Sequence, residues 1–437
     1  MPGGAMTGIT DQLINFASHP ADSAARDMMR LSLFDWAACG IAGAYDPEFT
    51  GFRTATIGQG GAAEASVLGG GAVPAANAAL INGTLSHALD FDDTHFAHIG
   101  HPSVAVVPAA LALAEQQNLD FETFLEAALI GVEASIHVGL WLGRDHYEVG
   151  FHQTATAGAF GATLAAARLL RLSPDQIRHA LGLCASLASG VKAQFGTGGK
   201  PLNAGLAARS GVEAGLWAQS GVTAAADGLA GPLGFGTTHH GAGDTTSLAT
   251  LGQSPWQILS ISHKFHACCH GLHAMLEALY SINIVPQRIE KMKIKTHPRW
   301  MSVCNKPDPE TGLAAKFSYR HTAAMAVLGK STAQREMFSD TLANDPELRA
   351  MRQKVSVEAD AQLSEMQAEV AITLNTGETF HAAHDLAAPI TLELRAEKLR
   401  VKAAGLLGET RAYPLWQCVQ DGDLAGFTAA LRGSERG

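Results

Sequence analysis

The sequence predicts a mainly α protein with a second, α+β domain, and three observations carry that prediction. Alanine- and glycine-rich stretches with apolar residues at helical spacing fill most of residues 11 to 260. From about Leu259 the pattern shifts to short alternating segments. Helical periodicity returns from about Leu392. A large all-helical domain is therefore expected from residues 1–260 and 392–437, with a smaller α+β unit at 261–391 inserted between them. The length of 437 residues suits two cores better than one.

Taken in order, the first helix begins near Asp11. Between Ser23 and Ala42, Met28, Leu31, Phe34, Trp36 and Ile41 recur at roughly helical spacing, with Gly40 and Gly43 available to end it. Residues 51–73 are glycine-rich, but the run Gly69-Gly70-Gly71 lacks both Walker spacing and a strand–helix setting, and reads as a surface turn rather than a phosphate loop. Pro74 opens an alanine-rich helix that delivers His87 and Asp90, and Pro102 and Ser103 open the next. Phe121, Phe124, Leu125, Ala128, Leu129 and Val132 then mark one helical face. After Gly150, Phe151 and His152 comes a helix whose Ala157, Gly158, Gly161 and Ala165 are small enough to let another helix approach closely. Ser173-Pro174-Asp175-Gln176 has the residues of a capped helix start. In the second domain, strands are expected at 289–296, 353–360, 369–373 and 378–384, the last two joined through an Asn375-Thr376-Gly377 turn.

Composition narrows the function. With 47% hydrophobic and 16% charged residues the chain has the makeup of a packed globular protein rather than a disordered one. A net charge of -10 argues against a nucleic-acid groove, and no Lys/Arg run suggests a membrane surface. An anionic substrate would have to be caught by a local cationic pocket. The six cysteines form no paired framework and no apolar signal stretch opens the sequence, so the cysteines are expected to be reduced and the protein cytoplasmic. No uninterrupted apolar stretch is expected to span a bilayer.

The chemistry concentrates between Asn82 and Glu115. Asp90, Asp92 and Asp93 are followed by Thr94, His95, His98 and His101, with a helix start at Pro102. Acids, imidazoles and a helix N-terminus therefore meet in one stretch. His152, just before another helix, is either a positioned acid or base or simply a cap. Lys192 and Lys200 flank a Gly-Thr-Gly-Gly turn. Lys200 is a candidate for gripping a carboxylate, since a desolvated ammonium needs a partner, or else it is a solvated loop lysine; for Lys192 the solvated reading is preferred. Two metal readings fit poorly. His95, His98 and His101 would suit a continuous helix, which Gly100 and Pro102 break, and the mixed run His266, Cys268, Cys269, His270, His273 lacks the CxxC pairs of a structural zinc site. Neighbouring aspartates are equally explained as hydrogen-bond partners of the imidazoles.

Five blocks, DFDDTHFAHIGHPSVAVVPAALALAE, GFHQTATAGAFGA, GGKPLNAG, KFHACCHGLH and GLAAKFSYRHTAAMA, resemble the successive signature blocks of the MmgE/PrpD family, in family order and across nearly the whole chain. The resemblance implies a large helical domain, a smaller α+β lid, a homodimer, and an active site between the domains that uses no metal or organic cofactor. It implies a site of Asp90, Thr94, His101, His152, Lys200 and Lys264, with His98 competing with His101 because the spacer after Thr94 varies in the family. Two departures fall where substrate would be read. A tyrosine often follows the KFS motif in decarboxylase and dehydratase members where this chain has His321, and the proline-containing segment after the lid lysine is here Phe265, His266 and Ala267.

Family members act on di- or tricarboxylates by removing a proton or carbon dioxide beside a carboxylate. Such chemistry needs cations to hold carboxylates and spread developing charge, an imidazole to move a proton, and an acid to orient it. The expected roles are His101 as main acid or base, Asp90 as its partner, His152 as second proton carrier, and Lys200 and Lys264 as the cations. Asp92 and Asp93 are expected to be structural, capping the break before Pro102 or bonding backbone amides. The leading expectation is a hydro-lyase of the 2-methylcitrate dehydratase type. An epimerase of a substituted succinate such as iminodisuccinate follows, then a cis-aconitate-type decarboxylase, with a non-catalytic helical scaffold as the alternative of another class.

Overall fold

A computed structural model describes residues 8–433. The chain divides into two compact units, one comprising the residues up to His263 and from Leu407 onward, the other Lys264–Leu406. The first boundary falls within a few residues of the expected 260. The return comes one helix later than the expected 392. Helix Leu392–Leu407 belongs to the second unit because Leu399 and Ala403 are buried there and Lys398 holds Glu277 at 2.7 Å.

The first unit is helical apart from a two-residue hairpin, Ala65–Ser66 with Ala72–Val73, turned by the three glycines at 69–71, all at positive φ. Here the glycine run is a turn, as read, and residues 51–57 already belong to helix Pro47–Ile57. The core helices are Ala75–His87, Pro102–Gln116, Phe121–Val149, Gln153–Leu169 and Gly199–Gln219. Their small residues set the spacing. A Cβ on Gly161 would lie 2.4 Å from the Gly131 carbonyl oxygen, and one on Gly205 would lie 2.2 Å from Thr84 Oγ1. Backbones this close leave no room for side chains between them, and nearly every position of Ala75–His87, Pro102–Gln116 and Gln153–Leu169 is buried. The expected capping box forms at Ser173: its Oγ accepts from Gln176 N at 3.3 Å, and Gln176 Oε1 accepts from Ser173 N at 3.0 Å.

Helix Phe121–Val149 is long and apolar enough by composition to cross a membrane, although Glu122, Glu126 and Glu133 interrupt its apolar run, and 83% of its most apolar window is buried inside the protein. Neighbouring helices supply its apolar surroundings.

In the second unit four strands form a mixed sheet in the order Val355–Ala359, Ile289–Thr296, Gln367–Leu374, Thr379–Asp385. The first pair is parallel, Met292 opposite Val355. The other two pairs are antiparallel, with Met292 opposite Ile372 and Ile372 opposite Phe380. Along the third strand, Ala368, Val370, Ile372 and Leu374 are buried on alternate positions, the pattern of a sheet with one covered face.

Candidate active site

Three helix starts bring the site together. His101 and His152 occupy the N-cap positions of helices Pro102–Gln116 and Gln153–Leu169, and Lys200 lies in the first turn of Gly199–Gln219. Neither histidine side chain makes a capping bond. Their backbones are tied elsewhere: His101 N donates to Thr154 Oγ1 at 3.0 Å and His152 N to the Gly190 carbonyl at 3.0 Å. The rings are thereby left for other contacts, which decides against the simple-cap reading of His152.

The segment between helices Ala75–His87 and Pro102–Gln116 is irregular. Asp90 and Ile99 have φ of 49° and 55°, two of only five such non-glycine residues among those described. Left-handed backbone at non-glycine residues is costly and is kept where the surroundings over-determine it. Thr94 is bridged to Ser262, its backbone N donating to the Ser262 carbonyl at 3.0 Å.

Asp92 lies at the centre of the cluster. Its carboxylate is fully buried; Oδ2 is 2.8 Å from His101 Nδ1, and both oxygens are 3.0 Å from His87 Nδ1. The His87 and His101 rings meet edge to face at 4.5 Å between centroids. Asp90 lies on the other edge of the His101 ring, its Oδ1 3.5 Å from Nε2 and 2.8 Å from Lys200 Nζ. His152 Nδ1 accepts from Asn203 Nδ2 at 3.2 Å, and its ring packs against Phe195 at 5.0 Å.

Both aspartates thus meet the His101 ring. Asp92, expected to be structural, touches Nδ1 at 2.8 Å, whereas Asp90, expected to be its partner, lies 3.5 Å from Nε2, is half-exposed and is paired with Lys200. Asp93 does fill the structural role, accepting from Ser103 N at 3.3 Å and Ser103 Oγ at 2.5 Å. His87 and Asn203 were not singled out as site residues. Only the placement of His87 at the end of an apolar helix, five residues before Asp92, hinted at its role.

Electrostatics follow from burial. Burial alone would raise the Asp92 carboxyl, but His87 and His101 outweigh it and hold it well below the usual range. Burial pushes the His101 imidazole down to about 4 against the pull of Asp92, and burial with the Lys200 charge pushes His152 well down. Both imidazoles are therefore neutral near pH 7. Their tautomers are opposite. Asp92 favours the proton on His101 Nδ1 and leaves Nε2 as a base, whereas Asn203 donates to His152 Nδ1 and leaves the proton on Nε2. A base and a donor are thus prepared in one cluster, beside a lysine and at helix ends that favour anions.

His87, Asp90, Asp92 and His101 each bring a donor atom within 4.8 Å of the others and could hold a cation. This set differs from both metal sets weighed from the sequence, and its Asp90 is already engaged by Lys200.

The remaining expected site residues are His98 in the first unit and Lys264, His266 and His321 in the second. His98 is fully buried with both ring nitrogens unbonded among the described residues; it packs so tightly on Gly139 that a Cβ there would meet Nδ1, and burial takes it to about 3. It fills a core position, so His101 is the histidine that meets the acids. Lys264, His266 and His321 belong to the second unit and are buried in it. His266 Nδ1 is 2.8 Å from Thr332 Oγ1, with Nε2 3.4 Å from Glu277. His321 Nδ1 accepts from Arg352 at 3.4 Å, and burial pushes it down to about 4. Lys192, read as a solvated loop lysine, donates to the Tyr147 carbonyl at 2.9 Å and lies over that ring.

Fold and site together define a two-unit protein whose helical unit concentrates acid–base groups and a cation at helix N-termini. Family models described as the MmgE/PrpD N-terminal domain and the MmgE/PrpD C-terminal domain match residues 9–247 and 266–420. The chain belongs to the MmgE/PrpD family. Among its relatives, the cis-aconitate decarboxylase of Homo sapiens is 27% identical over 83% of this chain and 80% of its own length. The mouse cis-aconitate decarboxylase is 27% identical over 77% of this chain and 73% of its own. The cis-aconitate decarboxylase of Aspergillus terreus strain NIH 2624 is also 27% identical, over 93% of this chain and 91% of its own.

Proposed function

We propose that this protein is a lyase acting on a small polycarboxylate, with loss of carbon dioxide as its reaction, His101 and His152 as its proton carriers and Lys200 as a carboxylate-holding cation. The observation that carries the acid–base part is the 2.8 Å contact between the buried Asp92 carboxylate and His101 Nδ1, with Lys200 and Asp90 at the opposite ring edge. The named relatives support the carboxy-lyase reaction and move it ahead of the hydro-lyase that the sequence put first.

In decarboxylation the carbon–carboxylate bond breaks, its electron pair stays on carbon, and a proton must reach that carbon. A bound polycarboxylate brings negative charge beside neutral imidazoles and raises their proton affinity, so an imidazole neutral in the empty site takes up the proton it will deliver. Lys200 neutralises a remaining carboxylate and steadies the charge that develops. Asp92 keeps His101 in one tautomer through the cycle. Asn203 does the same for His152. Lys264, from the family resemblance, is proposed as the second cation, and the homodimer implied by the same resemblance belongs to this reading.

A hydro-lyase is the second reading, favoured by the opposite tautomers: Nε2 of His101 would take the carbon-bound proton and Nε2–H of His152 would face the leaving hydroxyl. Proton NMR in deuterium oxide with cis-aconitate, citrate, 2-methylcitrate and iminodisuccinate separates these. The proposal expects cis-aconitate to lose one carboxylate with deuterium entering the product. A new alkene signal from a hydroxy acid would establish the hydro-lyase instead. Exchange of an α-proton with no alkene and no carbon dioxide would mean an epimerase, and inertness of folded protein toward every acid would leave a binding scaffold.

A further inference from the structure

Three of the six cysteines, which form no pattern in the sequence, come together in the second unit. Cys269 Sγ lies 3.0 Å from Cys304 Sγ, and Cys268 is the adjoining residue. A disulfide needs the two sulfurs only about 1 Å closer. Both backbones are stitched to one short segment. Cys269 N donates to the Lys316 carbonyl at 2.9 Å, and the Cys304 carbonyl accepts from Tyr319 N at 3.1 Å. Each cysteine is also fixed locally, Cys269 by Leu272 N donating to its carbonyl at 3.0 Å and Cys304 by its own N donating to the Trp300 carbonyl at 2.8 Å. The helix end holding Cys304 is packed in place, since a Cβ on Gly271 would lie 2.5 Å from the Trp300 ring. The two backbones are therefore held at a fixed spacing, and the sulfurs meet across it. Their exposures differ in a useful way: Cys304 is fully buried, while Cys269 is partly exposed.

We infer that Cys269 and Cys304 form a reversible oxidation site, in which a hydroperoxide reacts at Cys269 and Cys304 closes an intrachain disulfide. The Cys269 sulfur, as thiolate, attacks the distal peroxide oxygen and the O–O bond breaks, giving a sulfenic acid and the alcohol or water of the reduced peroxide. Cys304 then gives up its proton, its sulfur displaces the hydroxyl of the sulfenic acid as water, and the S–S bond forms. Two thiols and one hydroperoxide thus become one disulfide, one alcohol (or water) and one water. The bond ties the segment that begins at Lys264 to the end of helix Pro298–Val303, closing a ring of roughly 35 residues. Cys268 is buried and no short contact joins it to Cys304, so it is a bystander in this reaction.

The test uses the full chain, reduced and freed of reductant, treated with a small excess of hydrogen peroxide, alkylated and digested without reductant. Mass spectrometry is expected to show the peptides holding Cys269 and Cys304 joined, about 2 Da lighter than their sum, and separated again by dithiothreitol. The Cys268→Ser variant keeps the link and Cys269→Ser loses it. Cys304→Ser also loses it and leaves Cys269 as sulfenic or sulfinic acid; if that buried variant does not fold, Cys269→Ser and Cys268→Ser still decide the pairing. A link that survives Cys269→Ser, a link only between chains, or Cys269 overoxidised in the unmutated chain with no link formed would overturn the inference.

Discussion

The two units each set a carboxylate against buried imidazole, Asp92 fully buried between His87 and His101 in the first and Glu277 partly exposed beside His266 in the second. In the second unit Glu277 is held near 2: burial would raise it, but His266 and Lys398 prevail, with Lys398 Nζ at 2.7 Å. Thr332 takes the other nitrogen of His266, and Tyr280 OH closes the network at 2.8 Å from the same threonine hydroxyl. Lysine, acid, imidazole, threonine and tyrosine thus follow one another in a chain of contacts, with His266 Nε2 3.4 Å from Glu277. In the first unit Asp92 is held low by two imidazoles and no lysine touches it, and the far edge of the His101 ring meets a half-exposed aspartate 3.5 Å away. Residue types do not distinguish the clusters. What does is the geometry, a fully buried carboxylate 2.8 Å from one nitrogen of His101 and a half-exposed aspartate 3.5 Å from the other, and the proposed proton-carrier role rests on that arrangement.

The largest effect should separate His101 from His266. With cis-aconitate as substrate, His101→Gln is expected to lower kcat/KM by about 10³-fold or more, as for loss of a positioned acid–base group, whereas His266→Gln should change it only a few-fold while lowering Tm. Equal losses in the two variants would erase the distinction between the clusters. Asp92→Asn comes next, with a loss of about 10²- to 10³-fold because the His101 tautomer is no longer fixed. It also has a signature that a packing defect lacks. Asp92 pulls the His101 value upward, so in the variant the limb of the pH–rate profile that His101 governs, the one on which activity falls as the imidazole loses the proton it delivers, moves to lower pH. Lys200→Met should raise KM by about tenfold or more with a smaller change in kcat, as expected for a group that holds a carboxylate in ground and transition states alike. A change confined to kcat would place Lys200 on the developing charge alone.

Much of this fold was legible in the sequence because its elements obey simple periods. Alanine and glycine repeats gave helices that touch backbone to backbone, and Val370, Ile372 and Leu374 alternate as a half-covered strand should. The gathering of four polar residues was legible, and their pairing was not. His101, Asp90, His152 and Lys200 do gather, but which acid faces which ring edge depends on the left-handed turn at Asp90, and no spacing rule reads through a residue at φ 49°. Asn203 was invisible for another reason. Its partner is 51 residues away, and the helix approach that joins them depends on glycines whose neighbours only the folded chain supplies. The apolar helix Phe121–Val149 shows the same limit, since composition does not tell a protein interior from a lipid one.

The smallest effect tests the two aspartates that stand side by side, Asp92 with its imidazoles and Asp93 with a serine. Burial, opposed by Ser103 and helped by Asp35, raises the Asp93 carboxyl to about 7. In the unfolded chain it ionises near the ordinary value of about 3.9. Between those values the native state keeps a proton that the unfolded state has released, so this carboxyl lowers stability progressively as pH rises from about 4 to about 7 and adds nothing further above that. His101 works in the opposite sense. Its native value of about 4 lies below the ordinary imidazole value, so its contribution is lost as pH falls from about 6.5 through 4. Urea unfolding of the wild-type chain and of Asp93→Asn at pH 5 and pH 8 isolates the first contribution, because His101 is common to both. The variant should gain on the wild type by a kcal/mol or more between pH 5 and pH 8, given about 1.4 kcal/mol per pKa unit. A constant difference across that range would mean that Asp93 is ionised throughout, and Ser103 would then be stabilising a buried charge as firmly as the imidazoles stabilise Asp92.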